Sequence, residues 1–287
     1  MILQRIWTYG RMIKFSHSVF ALPFAFSGAV LAAARSGVTA EQIGWIVAAM
    51  VGARSAAMGF NRLADREMDA ENPRTANREI PQGIITPGAV RTFIALSSGL
   101  LIFAAYQLNP FCLALSPVAL GIVFFYSYTK RFTWATQLFL GLSLSVAPIG
   151  AWIAVTGSLD PEILLLGGAV LAWVAGFDTI YACQDITFDR EYGIYSLAQR
   201  FGIRRALLAA RALHVIALLL LVQTGRVFEL GPIYTAGVLV VAGLMLYEHR
   251  LVRDDDLSGL NVAFFNMNGI ISFIYFVFTL GDILWTT

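Results

Sequence analysis

The stretch EQIGWIVAAMVGARSAAMGFNRLADREMD, residues 41–69, decides the fold, because a long apolar run ends in polar residues spaced four apart. As a helix, the apolar run 41–60 is long enough to cross a hydrocarbon core of about 30 Å. Asn61, Asp65 and Asp69 follow it, and residues four apart lie on nearly the same face of a helix. The stretch therefore predicts a membrane-spanning helix that ends in a polar stripe.

A second polar stripe closes another apolar run about 120 residues later. Asp185 and Asp189 are again four residues apart, and Asp178 and Tyr181 precede them at helical steps. Both stretches contain the tripeptide Asp-Arg-Glu and continue into basic residues. We interpret them as an internal pseudo-repeat that would bring the two acidic clusters face to face across a central cavity.

Carboxylates beside lipid are costly, so the acidic clusters mark a candidate working site. Two facing carboxylate stripes repel each other unless cations lie between them. Oxygen ligands without His or Cys favour Mg²⁺, which completes its shell with water and substrate phosphate. The clusters therefore predict a Mg²⁺ site and a diphosphate substrate. The predicted metal ligands are Asn61, Asp65, Asp69, Asp185 and Asp189, and the four aspartates are also the predicted catalytic residues.

Composition places the chain among polytopic membrane proteins. Of its 287 residues, 58% are hydrophobic and 13% are charged, and the mean hydropathy is +0.71. These values lie outside the usual balance of a soluble domain. We predict an all-α membrane protein, a single domain over residues 1–287, with nine spans in one bundle around a central cavity and cytoplasmic cap loops. The predicted spans are 16–34, 41–60, 90–107, 110–128, 134–155, 162–183, 206–224, 231–248 and 262–284.

Basic residues set the predicted orientation, because Lys and Arg in short loops favour the cytoplasm. They cluster before the first span and after the second, fourth, sixth and eighth. This distribution predicts a cytoplasmic N-terminus, a cytoplasmic active site and an outside C-terminus. Topology accounts for the net charge of +2, so no nucleic-acid partner is expected. The two cysteines and three histidines show no disulfide or metal-ligand pattern.

Several other residues are candidates for substrate binding. Arg54 lies inside the second span, seven residues before Asn61, where it could pair with an aspartate or hold a diphosphate or an acceptor carboxylate. Basic residues after the spans could bind phosphate or serve topology alone. Aromatic rings near the same depth could stabilise a carbocation or belong to the core. The predicted substrate-binding set is Asn61, Arg54, Arg78, Lys130, Arg74, Asp178, Tyr181 and Tyr126.

These motifs resemble the UbiA superfamily of intramembrane aromatic prenyltransferases over nearly the whole chain. The stripe at 61–69 is similar to the family's first aspartate-rich motif, and RTANREIPQG, residues 74–83, is similar to the stretch that follows it. DTIYACQDITFDREYGIYSLAQRFG, residues 178–202, resembles the second motif region. The resemblance implies nine helices around a lateral cavity, two motifs that bind Mg²⁺ and a polyprenyl diphosphate, and location in a bacterial inner membrane.

The acceptor that the resemblance implies is an aromatic carboxylic acid, for which there are two candidates, and the alternative is prenyl transfer to another quinone or lipid precursor. Residues 12–25, MIKFSHSVFALPFA, differ from the usual segment of 4-hydroxybenzoate enzymes. They resemble a branch that includes futalosine-route enzymes acting on 1,4-dihydroxy-6-naphthoate. The expected reaction is Mg²⁺-dependent polyprenyl transfer to one of these acids, in ubiquinone or menaquinone biosynthesis.

Two rival functions use similar residues. Buried acids and Arg54 would also suit a cation-coupled transporter, although transporter sites tend to lie at the bilayer midplane. A membrane phosphotransferase also needs paired aspartates and Mg²⁺, but the sequence lacks the Asp-Gly element followed by Ala-Arg that is expected of the CDP-alcohol family. We rank the prenyltransferase first and the phosphotransferase last.

Overall fold

The computed structural model describes residues 2–14, 22–260 and 262–286, and this part of the chain forms helices without strands. The helices are α1 (Ile2–Met12), α2 (Leu22–Ser36), α3 (Ala40–Ala64), α4 (Arg66–Glu71), α5 (Pro87–Leu108), α6 (Pro110–Thr129), α7 (Thr136–Thr156), α8 (Ile163–Ala182), α9 (Ile186–Tyr192), α10 (Leu197–Phe201), α11 (Ile203–Val227), α12 (Pro232–Leu251) and α13 (Asn268–Thr286).

Eight helical segments are long and apolar enough to cross a membrane. They correspond to the second to ninth predicted spans. The first prediction, 16–34, begins outside the described residues, and its described part forms the shorter apolar helix α2. The last prediction begins in a π-helical turn, Val262–Met267, before α13. An all-helical membrane protein is thus confirmed, while the count of nine spans stays a prediction.

Local sequence signals account for the helix boundaries around the cavity. Thr39 and Gln42 form a reciprocal capping box at the start of α3. Thr86 caps α5 and Asn109 caps α6, each directly before a proline at the first helical position. Asn109 is also the only residue between α5 and α6. The two helices therefore form a tight hairpin, in agreement with the short gap between the predicted spans 90–107 and 110–128.

Helix α8 lies at the centre of the bundle, packed against α7 and α11. Its Trp173 packs with Phe24 of α2, and Phe24 stacks on Tyr275 of α13. Gly141 lets α7 approach α8 closely, because a Cβ at this position would collide with the carbonyl oxygen of Leu171. The central position of α8 fixes the second acidic cluster relative to the rest of the bundle.

In each acidic cluster the helix is interrupted at the first aspartate of the pair spaced four residues apart, Asp65 or Asp185. Asp65 separates α3 from α4 with φ −94° and ψ 2°, and Asp185 precedes α9 with φ −96° and ψ 4°. The N–H of Asp65 still donates to the Asn61 carbonyl, and that of Asp69 to the Asp65 carbonyl. The polar stripe is thus kept, and the matching geometry agrees with a pseudo-repeat, which stays a hypothesis.

A cavity of about 450 Å³ lies among α3, α5, α6 and α7. Its walls are almost entirely apolar, and its polar lining includes Arg54, Asn61 and Tyr126. The four motif aspartates do not line it. The cavity is therefore an apolar chamber next to the acidic clusters, and it meets them at Asn61.

Candidate active site

The first aspartate of the first motif is buried among three donors. Asp65 is 2% exposed, and its Oδ2 accepts from Lys130 Nζ at 2.6 Å and from Asn61 Nδ2 at 3.0 Å. Arg131 Nη2 lies 3.4 Å from Oδ1 and also donates to the Ala64 carbonyl. The loop between α6 and α7 thus supplies the positive charge that a buried carboxylate needs.

The second aspartate of this motif pairs within its own loop. Arg78 Nη1 donates to both carboxylate oxygens of Asp69, at 2.6 and 2.7 Å. Thr75 Oγ1 donates to the Asp69 carbonyl at 3.0 Å, which fixes the chain between the two residues. The segment RTANR therefore folds back over its aspartate and presents a guanidinium beside it.

One arginine joins the two motifs. Arg74, from the loop after α4, donates to Asp185 through Nε at 2.8 Å and Nη2 at 2.6 Å. Its Nη1 lies 3.3 Å from Tyr181 Oη, and the guanidinium lies 5.5 Å from the Tyr181 ring centre. Burial alone would lower the pKa of Arg74, but the hydrogen bonds and charge of Asp185 outweigh burial and raise the pKa above its usual value. Arg74 thus connects the loop of the first motif to the second motif, whereas the prediction that the two acidic clusters face each other across the cavity is wrong, because none of the four aspartates lines it.

The last aspartate has a different environment. Asp189 is 7% exposed, and its Oδ2 accepts from Ser196 Oγ at 3.1 Å. Within the described ranges it is the one motif aspartate with no Lys or Arg nitrogen within 4.0 Å. Its carboxylate is therefore oriented by a neutral donor.

The remaining predicted residues lie between the cavity and the motifs. Arg54 and Tyr126 line the cavity, and within the described part of the chain Arg54 Nε is buried without a hydrogen-bond partner. Asp178, partly buried on α8, is close enough to interact electrostatically with Tyr126 and Lys130. All twelve predicted site residues thus lie in one connected region or along its cavity.

Sequence reasoning missed three basic residues and one serine beside this site. Arg62 is 6% exposed and donates from Nε to the Met12 carbonyl. Burial, together with the nearby charges of Arg62, Arg78 and Arg74 and against that of Glu79, lowers the pKa of Lys14 to about 8. Arg131, which is not among the predicted site residues, has its Nη2 3.4 Å from Asp65 Oδ1. Among these four residues, which include Ser196, only Arg62 could have been identified from the sequence, because it directly follows Asn61.

The predicted metal ligands are not gathered into a finished site. Among the described residues, no three His, Cys, Asp or Glu side chains are close enough together to hold one ion. Three of the four carboxylates instead pair with Lys130, Arg78 and Arg74. The donor chemistry still suits Mg²⁺, because carboxylate oxygens and the Asn61 amide are hard ligands.

Comparison with known proteins gives a consistent assignment. Residues 21–270 match the model of the UbiA prenyltransferase family. A 4-hydroxybenzoate octaprenyltransferase of Vibrio campbellii is 36% identical over 218 residues, which cover 75% of each chain. The enzyme of the same name from Saccharophagus degradans is 34% identical over 77% of this chain and 74% of its own.

Solved structures show the same fold. The apo structure of a UbiA homolog from Aeropyrum pernix K1 superposes with a TM-score of 0.85 at 33% identity, over 93% of this chain and 98% of the other. A UbiA homolog from Archaeoglobus fulgidus bound to GPP and Mg²⁺ gives a TM-score of 0.75 at 17% identity, over 96% and 99%. The bundle described above is thus the fold of these proteins.

Proposed function

The chain belongs to the UbiA prenyltransferase family, and we propose that it transfers a polyprenyl group from a polyprenyl diphosphate to the ring of an aromatic hydroxy acid. Membership makes it a membrane-embedded prenyltransferase. Its long apolar helices suit a substrate whose isoprenoid tail stays in lipid. We place it in the inner membrane of a bacterium, with its motifs facing the cytoplasm, as the basic loops predict.

One observation carries the proposal: cations and carboxylates of both motifs meet beside an apolar cavity. Arg74 links the first loop to Asp185, and Lys130 links the loop after α6 to Asp65. A diphosphate would bind the cations that now neutralise the carboxylates. Arg74, Arg78 and Lys130 are the residues assigned to this role, with Tyr181 beside Arg74.

The carboxylates are assigned to Mg²⁺. Asn61, Asp65, Asp69, Asp185 and Asp189 would hold the ions. When bound, Mg²⁺ stabilises negative charge that develops on the leaving diphosphate. Arginine and lysine partners would then be free to turn from the carboxylates to the phosphate oxygens.

The acceptor is assigned to the polar end of the cavity. Arg54 lines the cavity, its buried Nε has no hydrogen-bond partner among the described residues, and a planar fork suits a carboxylate. Tyr126, which lines the cavity, and Asp178 are assigned to contacts with the ring. Relatives of the same family are named 4-hydroxybenzoate octaprenyltransferases, so 4-hydroxybenzoate is the first candidate. The segment 12–25 favours 1,4-dihydroxy-6-naphthoate as the second.

The chemistry follows from these positions. The allylic C–O bond breaks, and its electron pair leaves with the diphosphate. A ring carbon ortho to the phenolic hydroxyl attacks the allylic cation, which the aromatic faces of Tyr126 and Tyr181 stabilise. Asp185 or Asp189 takes the phenol proton and so raises the nucleophilicity of the ring. Loss of the ring proton then restores aromaticity.

An assay tests the proposal directly. Membranes that contain the protein are incubated with Mg²⁺ and a polyprenyl diphosphate, in parallel with 4-hydroxybenzoate and 1,4-dihydroxy-6-naphthoate. We expect product with one acceptor, lost on adding a chelator and in Asp65→Ala and Asp185→Ala. No Mg²⁺-dependent product with either acid would refute these acceptors. Metal-independent solute flux across vesicles would instead support a transporter.

A further inference from the structure

The four motif aspartates are held in two different ways. Asp65, Asp69 and Asp185 each have a charged partner within 2.6 Å. Asp189, in contrast, accepts from the neutral hydroxyl of Ser196 at 3.1 Å. Both groups are buried, so this contact is shielded from water and has a defined geometry.

A second contact fixes which hydrogen bond the Ser196 hydroxyl accepts and which it donates. Ser196 is the N-cap of α10, and its Oγ accepts from the Gln199 N–H at 3.1 Å. A hydroxyl carries a single hydrogen, and Asp189 is its acceptor. The cap therefore holds the oxygen in place while the hydrogen points to the carboxylate.

The same short segment reaches the first motif through its backbone. The N–H of Tyr195 donates to the Lys130 carbonyl at 2.8 Å, and Lys130 Nζ donates to Asp65. At the other end of the segment Gly193, with φ +80°, ends α9, and the N–H of Ile194 donates to the Asp189 carbonyl at 2.9 Å. Residues 193–196 thus link Asp189 to the loop that neutralises Asp65.

We propose that Ser196 is a positioning residue for the metal and diphosphate site, because its hydroxyl fixes the orientation of Asp189 and its segment holds Lys130 in register with that carboxylate. The proposal rests on the proposed function, which makes Asp189 a metal ligand. Loss of a hydrogen bond that orients a metal ligand typically lowers metal affinity or activity about 10- to 100-fold. Ser196 is therefore expected to matter for metal affinity without touching the substrate.

Three substitutions separate positioning from helix capping. Ser196→Thr keeps the hydroxyl, whereas Ser196→Ala removes both the donor and the cap. Ser196→Gly removes the donor but costs the helix only a few tenths of a kcal/mol as an N-cap. Thr86→Ala is the matched control, because Thr86 caps α5 in the same way, through the Ala89 N–H at 3.3 Å, without a contact to a motif aspartate.

The first measurement is the affinity of the purified full-length protein for Mn²⁺, obtained from the electron paramagnetic resonance signal of the free ion. The second is the Mg²⁺ concentration that gives half-maximal activity. We expect about 10-fold weaker Mn²⁺ binding in Ser196→Ala and Ser196→Gly, and near wild-type binding in Ser196→Thr and Thr86→Ala. Equal affinity in wild type and Ser196→Ala overturns the proposal, as does equal loss in Ser196→Thr.

The two readouts keep the proposals apart. A wild-type protein that binds Mn²⁺ but prenylates neither acid contradicts the proposed reaction, while the serine series still decides the role of Ser196. A wild-type protein that prenylates an acid while Ser196→Ala keeps full Mn²⁺ affinity supports the reaction and overturns the positioning role. A wild-type protein without Mn²⁺ affinity overturns the positioning role.

Discussion

Arg74 is the residue on which the joining of the two motifs depends most directly. Its guanidinium bonds Asp185 through two nitrogens, a geometry that a lysine ammonium cannot reproduce. We expect Arg74→Ala to lower kcat/KM about 100-fold, the scale seen when one preorganised charge-stabilising donor is lost. Arg74→Lys should recover only part of this loss. Steady-state kinetics with varied polyprenyl diphosphate provides the measurement.

The control for Arg74 is Arg91→Ala. Arg91 is an exposed arginine near the start of α5 and forms no ion pair within the described residues. Its loss should leave kcat/KM within about twofold of wild type, since isolated surface charges contribute little. Full activity in Arg74→Lys would contradict the bidentate role.

We expect Lys14 to make binding of the diphosphate depend on pH, because it lies near Arg62, Arg74 and Arg78. Its pKa is lowered to about 8, so the free enzyme loses this positive charge as the pH rises from 7 to 9. Neutral Lys14 no longer attracts an anion, so kcat/KM for the diphosphate should fall over this range. An interaction of about 1 kcal/mol, typical of unit charges about 4 Å apart in water, corresponds to roughly fivefold.

Lys14→Arg isolates this effect, because arginine stays charged throughout the range. The ratio of kcat/KM between wild type and Lys14→Arg should fall as the pH rises, while ionisation of the substrate cancels from the ratio. The dependence should appear in kcat/KM, which reports the free enzyme, more than in kcat. A constant ratio between pH 7 and 9 would show that the charge of Lys14 does not contribute to binding of the diphosphate.

At the scale of helices, Asp282 of α13 supplies the cap that α12 lacks. Its carboxylate is fully buried and accepts from the Gly231 N–H at 2.6 Å and the Tyr234 N–H at 3.1 Å. Gly231, the N-cap residue, has no side chain to serve this purpose. Asp282→Ala leaves two donors unsatisfied, which costs on the order of 2–4 kcal/mol.

We expect Asp282→Ala to lower the apparent Tm in detergent by roughly 4–16 °C, at about 2–4 °C per kcal/mol. Asp254→Ala, in the exposed loop after α12, is the control and should leave the Tm unchanged. Asp282 lies at the end of the bundle opposite the motifs, so prenyl transfer at low temperature should persist in both variants. An unchanged Tm in Asp282→Ala would show that the cap is dispensable.

How far the sequence predicts each element depends on the range of the interaction. The apolar runs and the prolines after Thr86 and Asn109 are local signals, and they place most helices within a few residues. The partners of the aspartates are not local: Arg74 and Asp185 are 111 residues apart, and their pairing depends on where the packing of the whole bundle places α3 and α8. Ser196 was missed because a serine before a short helix indicates only a cap.

At the scale of the whole molecule, a central cavity between the two acidic clusters was predicted, but the cavity in the structure has other walls. Apolar residues that line a chamber have the same composition as residues that face lipid, so periodicity cannot separate them. The cavity lies among α3, α5, α6 and α7, while the second motif lies on α8 and α9, beside the cavity rather than around it. Only the packing of the bundle decides this arrangement.

The orientation of the bundle gives the last prediction. Basic loops predict that the α12–α13 connection faces the cytoplasm and the α7–α8 connection faces outward. Ser258 and Ser158 are exposed in these two loops. In a background with Cys112→Ala and Cys183→Ala, Ser258→Cys should react with a membrane-impermeant thiol reagent in inverted vesicles, and Ser158→Cys should react only in right-side-out vesicles. The opposite pattern would put both aspartate motifs outside, away from any diphosphate made in the cytoplasm, and would contradict the proposed reaction together with the predicted topology.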